Sequence, residues 1–258
     1  MKDLLLLNNV SYSYNTEKSE THAVENLSFK IREGEFVAMI GPSGCGKTTV
    51  LSLIAGLIKA TSGKIILNGK EVDGKSLGVG YMLQRDELFP WRTIEQNVFL
   101  PLEIKKMNTP NNRNYALNLL EKYGLGDFKK SYPHQLSGGM RQRVALIRTL
   151  VSKPDLLLLD EPFSALDYQT RLTVCDDVYS VIQKEKKTAL LVTHDISEAL
   201  SLADRILVLS KRPAKILHEH EYDVDHSVTP LKRRENKDFG KRFDTLWREL
   251  ENERPGYK

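Results

Sequence analysis

The 258-residue chain predicts an α/β fold built on a mostly parallel sheet with helices against it. Three observations carry this. Phe36-Val37-Ala38-Met39-Ile40 is wholly apolar and of strand length, which suits a strand buried on both faces. It runs into a glycine-rich turn at 41–48 and then into an apolar stretch, 50–57, suited to a buried helix. A second such strand, 156–159, ends in two adjacent carboxylates, Asp160 and Glu161, and is stopped by Pro162.

Composition narrows the class. Hydrophobic residues make up 40% and charged residues 28%, with 38 Lys+Arg against 34 Asp+Glu for a net charge of +4. This excludes collagen-like, disordered and disulfide-scaffold chains. No apolar run approaches the ~18–20 residues that cross a bilayer. The leucines at 4–7 follow Met1-Lys2-Asp3 and are too few for a signal-peptide core of ~7–15 residues, so the chain is expected to stay in the cytosol. Cys45 and Cys175 fit a reducing compartment. The basic excess is spread out: residues 211–258 hold 12 basic and 10 acidic side chains. That leaves no electrostatic footprint for nucleic acid.

The first turn, Gly41-Pro42-Ser43-Gly44-Cys45-Gly46-Lys47-Thr48, matches G-x-x-x-x-G-K-[ST]. Chance gives such a match in a chain of this length with odds of roughly 1%. Each part has a chemical reason. Glycines let the backbone curl so that successive N–H groups face phosphate oxygens. The following helix adds its unpaired donors and the positive end of its dipole. Lys47 supplies a point charge, and Thr48 a hydroxyl for Mg²⁺. Cys45 reads as a small filler whose backbone N–H matters more than its thiol.

A second glycine turn opens another helix at Leu136-Ser137-Gly138-Gly139-Met140. Ser137 is a good N-cap. Met140, Val144, Ile147 and Val151 follow as one apolar stripe, and the helix must stop near Lys153 because Pro154 follows. This is a second helix N-terminus without a lysine. The strand at 156–159 reads as central, and its C-terminal end is where open α/β sheets bind ligands. Asp160 there suits Mg²⁺ coordination. Glu161, on the other side of the strand end, suits polarising a water.

Val79–Leu83 also reads as a strand, and further segments read as helices. Thr93-Ile94-Glu95-Gln96 is a capping-box pattern. Thr109 and Pro110 start a second helix with an apolar face at Ala116, Leu119, Leu120 and Tyr123, ended by Gly124. Leu172, Cys175, Val178 and Ile182 form a third stripe. Phe239, Phe243, Leu246, Trp247 and Leu250 form a fourth, expected to dock on the core.

Together these motifs resemble the nucleotide-binding subunit of ABC transporters over about residues 1–220, in the family's order. The resemblance implies a P-loop NTPase (RecA-like) core with an N-terminal antiparallel β subdomain and an inserted α-helical subdomain. It implies a single domain, 1–258, with the nucleotide-binding core at 1–85 and 156–218. The helical signature subdomain is then 86–155 and the tail with its amphipathic helix 219–258. The implied ligands are ATP and Mg²⁺. Nucleotide contacts fall on Tyr14, on Gly41, Pro42, Ser43, Gly44, Cys45, Gly46, Lys47, Thr48 and Thr49, and on Ser137, Gly138 and Gly139. Mg²⁺ falls to Thr48, Gln84 and Asp160. Glu161, His194, Gln84 and Lys47 are the implied catalytic residues, with His194 sensing the γ-phosphate and Tyr14 stacking on adenine. Residues 164–167 would cross a dimer interface. The chain departs from the family at Met140, where many members carry Gln; the backbone donors at 137–139 remain.

The resemblance also implies partners: a second copy packed head to tail around ATP, integral membrane permease subunits, and indirectly an extracytoplasmic solute-binding protein. The place implied is the cytoplasmic side of the cell membrane, peripherally. Phe89-Pro90-Trp91-Arg92-Thr93 would line a groove for a permease helix. These residues, 136–140 and Ser210-Lys211-Arg212-Pro213 look like the nitrate/sulfonate/taurine importer branch, and subunits for pyrimidine-type vitamin precursors look alike there. An ABC ATPase acting on nucleic acid or ribosomes is disfavoured by the single cassette and the absence of a basic stripe. A non-enzymatic nucleotide sensor is disfavoured by Glu161 and His194.

Overall fold

A computed structural model describes residues 2–16, 19–74 and 78–253. Residues 1, 17, 18, 75–77 and 254–258, all inside the expected domain 1–258 and the last five inside its tail, lie outside the described residues.

The chain begins with two long strands, β1 (Asp3–Thr16) and β2 (Ser19–Arg32), paired antiparallel. Then come β3 (Phe36–Ile40), α1 (Lys47–Ile54), β4 (Ser62–Leu67), β5 (Lys70–Glu71) and β6 (Val79–Met82). Three helices follow, α2 (Ile94–Ile104), α3 (Pro110–Lys122) and α4 (Gly138–Leu150). The rest is β7 (Leu156–Asp160), α5 (Tyr168–Lys184), β8 (Thr188–Thr193), α6 (Ile196–Leu202), β9 (Arg205–Leu209), β10 (Ile216–Glu221), α7 (Pro230–Arg233) and α8 (Phe239–Asn252).

The strands make two sheets. One has the order β2-β1-β4-β5 and is antiparallel. The other has the order β10-β9-β3-β8-β7-β6, parallel except for β10 at its edge. Side chains alternate faces along a strand, so each parallel strand feeds two cores. Val37, Met39, Leu156 and Leu158 pack with α1 and the antiparallel sheet. Phe36, Ala38, Ile40, Leu157 and Leu159 pack with the helices on the far side. Both faces are covered, which is why these strands are apolar between their ends. The strand expected to be central, β7, sits one in from the edge; β3 and β8 hold the middle. Helix α1 starts at Lys47 and ends at Ile54, earlier than the apolar stretch 50–57 suggests, because Gly56 takes a positive φ of 70°.

Helix α2 opens with the expected capping box: Gln96 N donates to Thr93 Oγ1 (3.4 Å), and Thr93 N donates to Gln96 Oε1 (2.9 Å). Thr109 caps α3 with Pro110 in its first turn, and Gly124 follows its end at φ 72°. Fully buried Asn97 donates to the carbonyls of Phe89, Arg92 and Thr93 and accepts from Phe89 N. It thereby shapes a turn that presents Phe89 and Trp91 outward, with their rings stacked at 5.0 Å. Glu185, just past α5, accepts from Lys122 (2.7 Å), Tyr123 (3.0 Å) and Tyr115 (3.4 Å), which ties α3 to the core.

Helix α8 docks as its stripe predicts. Leu246 is fully buried, with Phe239, Phe243 and Leu250 packed against the far-side core. Trp247 departs from the expectation, being 40% exposed and stacked on Phe243. Truncating Leu246 to Ala removes a buried side chain at a site walled by packed elements. It should lower unfolding stability by about 2–4 kcal/mol in a denaturant titration. A change close to zero would mean that α8 is not docked in solution.

Candidate nucleotide-binding site

The site is built by sheet register. In β3, β8 and β7, parallel pairing aligns Ile40 with Thr193 and Asp160 with Val192. The loops that leave the three strand ends are therefore neighbours, and each carries a predicted residue.

The loop 41–46 curls at Gly44 (φ 73°) and Gly46 (φ 123°). A Cβ on Gly46 would lie 2.6 Å from the Ala23 carbonyl oxygen, so glycine is required there. Lys47 is only 6% exposed, and its Nζ donates to the carbonyls of Gly41 (2.8 Å) and Pro42 (3.0 Å). The ammonium thus sits inside its own loop. Cys45 is buried, and burial pushes its thiol up against the pull of Lys47 and Arg212. It is a neutral filler rather than a thiolate.

Asp160 is 7% exposed and takes hydrogen bonds from Thr48 Oγ1 (3.3 Å) and Tyr81 OH (3.1 Å). Burial pushes its carboxyl up, and the two hydrogen bonds oppose that. A buried carboxylate beside a hydroxyl is a hard-oxygen donor pair, which fits Mg²⁺. Glu161 turns the other way at φ 44°, and its Oε2 lies 3.1 Å from His194 Nδ1. Gln84 lies past the end of β6; its Nε2 donates to Ser164 Oγ (3.3 Å), which in turn donates to the Glu161 carbonyl (3.0 Å). Tyr14 is 44% exposed, with its OH 3.2 Å from Thr49 Oγ1 and its ring edge-on to Tyr12. A cleft of about 230 Å³ joins Tyr14, Ser43, Gly44, Lys47, Thr48, Thr49 and Glu161.

Ser137, Gly138 and Gly139 lie apart from this cleft. Ser137 Oγ accepts from Met140 N (3.3 Å) as a helix cap. Gly138 borders a separate cleft with Asp86, Arg141 and Leu166. Gly139 has a packing reason as well, since a Cβ there would meet Val174 Cγ2 at 2.8 Å. Met140 packs against the far-side core. One chain alone therefore does not bring its two glycine turns together.

Several residues at the site are not among the expected site residues. Tyr81 precedes Gln84 on β6 and fixes Asp160. Arg212 bonds the loop tip through Gly44 O. Thr193 Oγ1 accepts from Asp195 N (3.1 Å) and donates to Glu198 Oε2 (2.7 Å), while Arg171 stands 3.6 Å from Asp195. These contacts hold the turn that carries His194. Glu198 is 3% exposed, and burial pushes its carboxyl up to about 7.

Comparisons with known proteins give the fold and the family. The fold is that of an ATP-binding cassette. It superposes with TM-score 0.74 and 31% identity on the dimeric, post-hydrolysis ATP-binding cassette MJ0796 bound to ADP and Pi, covering 86% of this chain and 100% of that one. The family model for the ABC transporter matches residues 24–164. The chain is 45% identical to an uncharacterized ABC transporter ATP-binding protein, YtlC of Bacillus subtilis, over 95% of each chain. It is 39% identical to the taurine import ATP-binding protein TauB of Pelagibacter ubique over 90% of each. It is 38% identical to the aliphatic sulfonates import ATP-binding protein SsuB of Bacillus cereus, over 90% of this chain and 89% of that one. The chain belongs to the ABC transporter family.

The raised Glu198 carboxyl gives a pH signature. The folded state keeps a proton that the unfolded chain releases near 4.5, so stability falls as pH rises from there to about 7, and the full penalty stands above that. Glu198→Gln removes this slope while keeping an acceptor for Thr193. The variant should gain on the parent by up to about 3 kcal/mol between pH 4.5 and pH 8 in unfolding titrations. A pH-independent difference would contradict the buried, protonated carboxyl.

Proposed function

We propose that the chain is the ATP-binding and ATP-hydrolysing subunit of an ABC importer, powering uptake of a small solute of the nitrate, sulfonate or taurine kind. The observation that carries this is the meeting of three groups at the ends of adjacent parallel strands: the ammonium-filled loop 41–48, the Thr48–Asp160 pair, and the Glu161–His194 pair.

The division of labour follows from where each group stands. Backbone N–H groups of the loop and Lys47 bind the β- and γ-phosphates. Tyr14, exposed at the cleft edge, offers its ring to adenine. Thr48 and Asp160, with Gln84, would hold Mg²⁺, which neutralises charge on the phosphate oxygens when bound. Glu161 accepts a hydrogen bond from the attacking water and orients it, and His194 holds the Glu161 carboxylate beside the γ-phosphate.

The assembly follows from what one chain lacks. Its Ser137–Gly139 turn stands apart from its loop, so a second copy packed head to tail supplies that turn, making an isologous interface. The dimeric state of the MJ0796 cassette supports a two-copy assembly. Among the described residues no helix is long and apolar enough to cross a membrane. The import names of the relatives support integral permease subunits as partners, with this chain peripheral on their cytoplasmic side. The outward Phe89–Trp91 stack, with Trp91 71% exposed, is the surface offered to them. An extracytoplasmic solute-binding protein completes the system without touching this chain. The names of the taurine and aliphatic sulfonate relatives support the solute class.

Glu161→Gln tests the assignment, because it keeps the shape and removes the base. It should bind Mg-ATP as the parent does and lose about 10²–10⁴-fold in hydrolysis rate. Undiminished turnover would sink the role given to Glu161.

A further inference from the structure

The loop between β9 and β10 reaches the phosphate loop for a reason of topology. β9 pairs parallel with β3, with Val208 beside Ile40, so the two strands end side by side. β3 continues into the loop 41–46, and β9 continues into residues 210–214. That second loop is anchored on three sides. Ala214 N donates to Ala23 O (2.9 Å), and Glu25 N donates to Ala214 O (3.1 Å). Ser210 Oγ lies 2.8 Å from both Lys211 O and Pro213 O. Lys211 N donates to Glu253 Oε2 (3.0 Å) just past α8. The backbone carrying Arg212 is thus held in place before any ligand arrives.

Arg212 uses part of its guanidinium on the loop tip. Nε (3.0 Å) and one terminal nitrogen (2.8 Å) both donate to Gly44 O. Gly44 itself takes a positive φ of 73° at the tip of the loop. Among the described residues the other terminal nitrogen meets no acceptor. Arg212 also borders the same cleft as Tyr14, Lys47 and Thr49. A guanidinium is always charged and has five donors, so a fork occupied on one side remains a phosphate ligand on the other.

We propose that Arg212 is a second cationic ligand of the nucleotide's polyphosphate, clamping Gly44 with one edge of its guanidinium and giving the other to phosphate oxygens. This rests on the nucleotide reading of the site. Lys47 is one point charge inside the loop, and a triphosphate carries several negative charges. Arg212 adds the outer charge on a preset backbone. Charge-assisted, forked contacts to phosphate are the strong ones.

Titration calorimetry of Mg-ATP into the parent, Arg212→Ala, Arg212→Lys and Arg212→Gln tests this. The alanine variant should raise Kd about tenfold and flatten the dependence of Kd on salt. Its melting temperature without nucleotide should match the parent's, because the side chain is exposed. In steady state the loss should fall mainly on KM. Lysine should recover part of the affinity, and glutamine, which keeps an N–H for Gly44 but no charge, should not. An alanine variant that binds within about twofold of the parent overturns the proposal. So does recovery by glutamine and not lysine, which would leave Arg212 a neutral clamp of the loop. A parent chain that itself fails to bind Mg-ATP overturns the nucleotide reading, and this inference with it.

Discussion

A glycine-bent loop whose carbonyls hold one buried ammonium is the feature on which the rest of the structure depends. Lys47 is held by two carbonyls of its own loop, and both positive-φ glycines serve that curl. Burying an unpaired charge would cost several kcal/mol, so the loop is stable only with those carbonyls, or an anion, against the ammonium. The six-stranded sheet then supplies position. Parallel register brings the ends of β3, β7, β8 and β9 to one edge, and the loops leaving them carry Lys47, Glu161, His194 and Arg212. A slip of one residue in any of these strands would turn its apolar side chains to the wrong core and carry the site residue away.

Much of this was legible in the sequence because its signals are local. A glycine turn between an apolar strand and a helix, a capping box at Thr93–Gln96, and helical stripes such as Phe239–Leu250 each need only a short window. What escaped was long-range. Asn97 reads as an ordinary polar residue in α2, yet it is fully buried and organises the Phe89–Trp91 turn. Tyr81, Arg171 and Arg212 act on groups far away in sequence. β7 looked central because its four leucines show only that both faces are buried, not how many strands lie beyond. Trp247 fell on the apolar stripe of α8 but remains 40% exposed, since helical spacing gives a face and not its depth.

The second glycine turn has the clearest bearing on mechanism. Ser137 caps α4 and Gly139 lets α4 approach α5, so both have structural work within one chain. They are nevertheless removed from the loop that the same chain presents to a nucleotide. In the proposed function a γ-phosphate joins the two turns across two copies, and hydrolysis removes the joint. A small charge change would thus drive a large movement of a bistable assembly. The Phe89–Trp91 stack lies on the same helical insert as Ser137, and Glu185 ties that insert to α5. In the same proposal, closure at the nucleotide would be carried to the surface proposed for the permease.

The most direct measurement is a structure of the Glu161→Gln chain saturated with Mg-ATP, with its mass in solution measured by light scattering. The expected result is a particle of twice the chain mass, each nucleotide seated on residues 41–48 of one copy and 137–139 of the other. A nucleotide-loaded chain that stays single, with its 137–139 turn open to solvent, would contradict it.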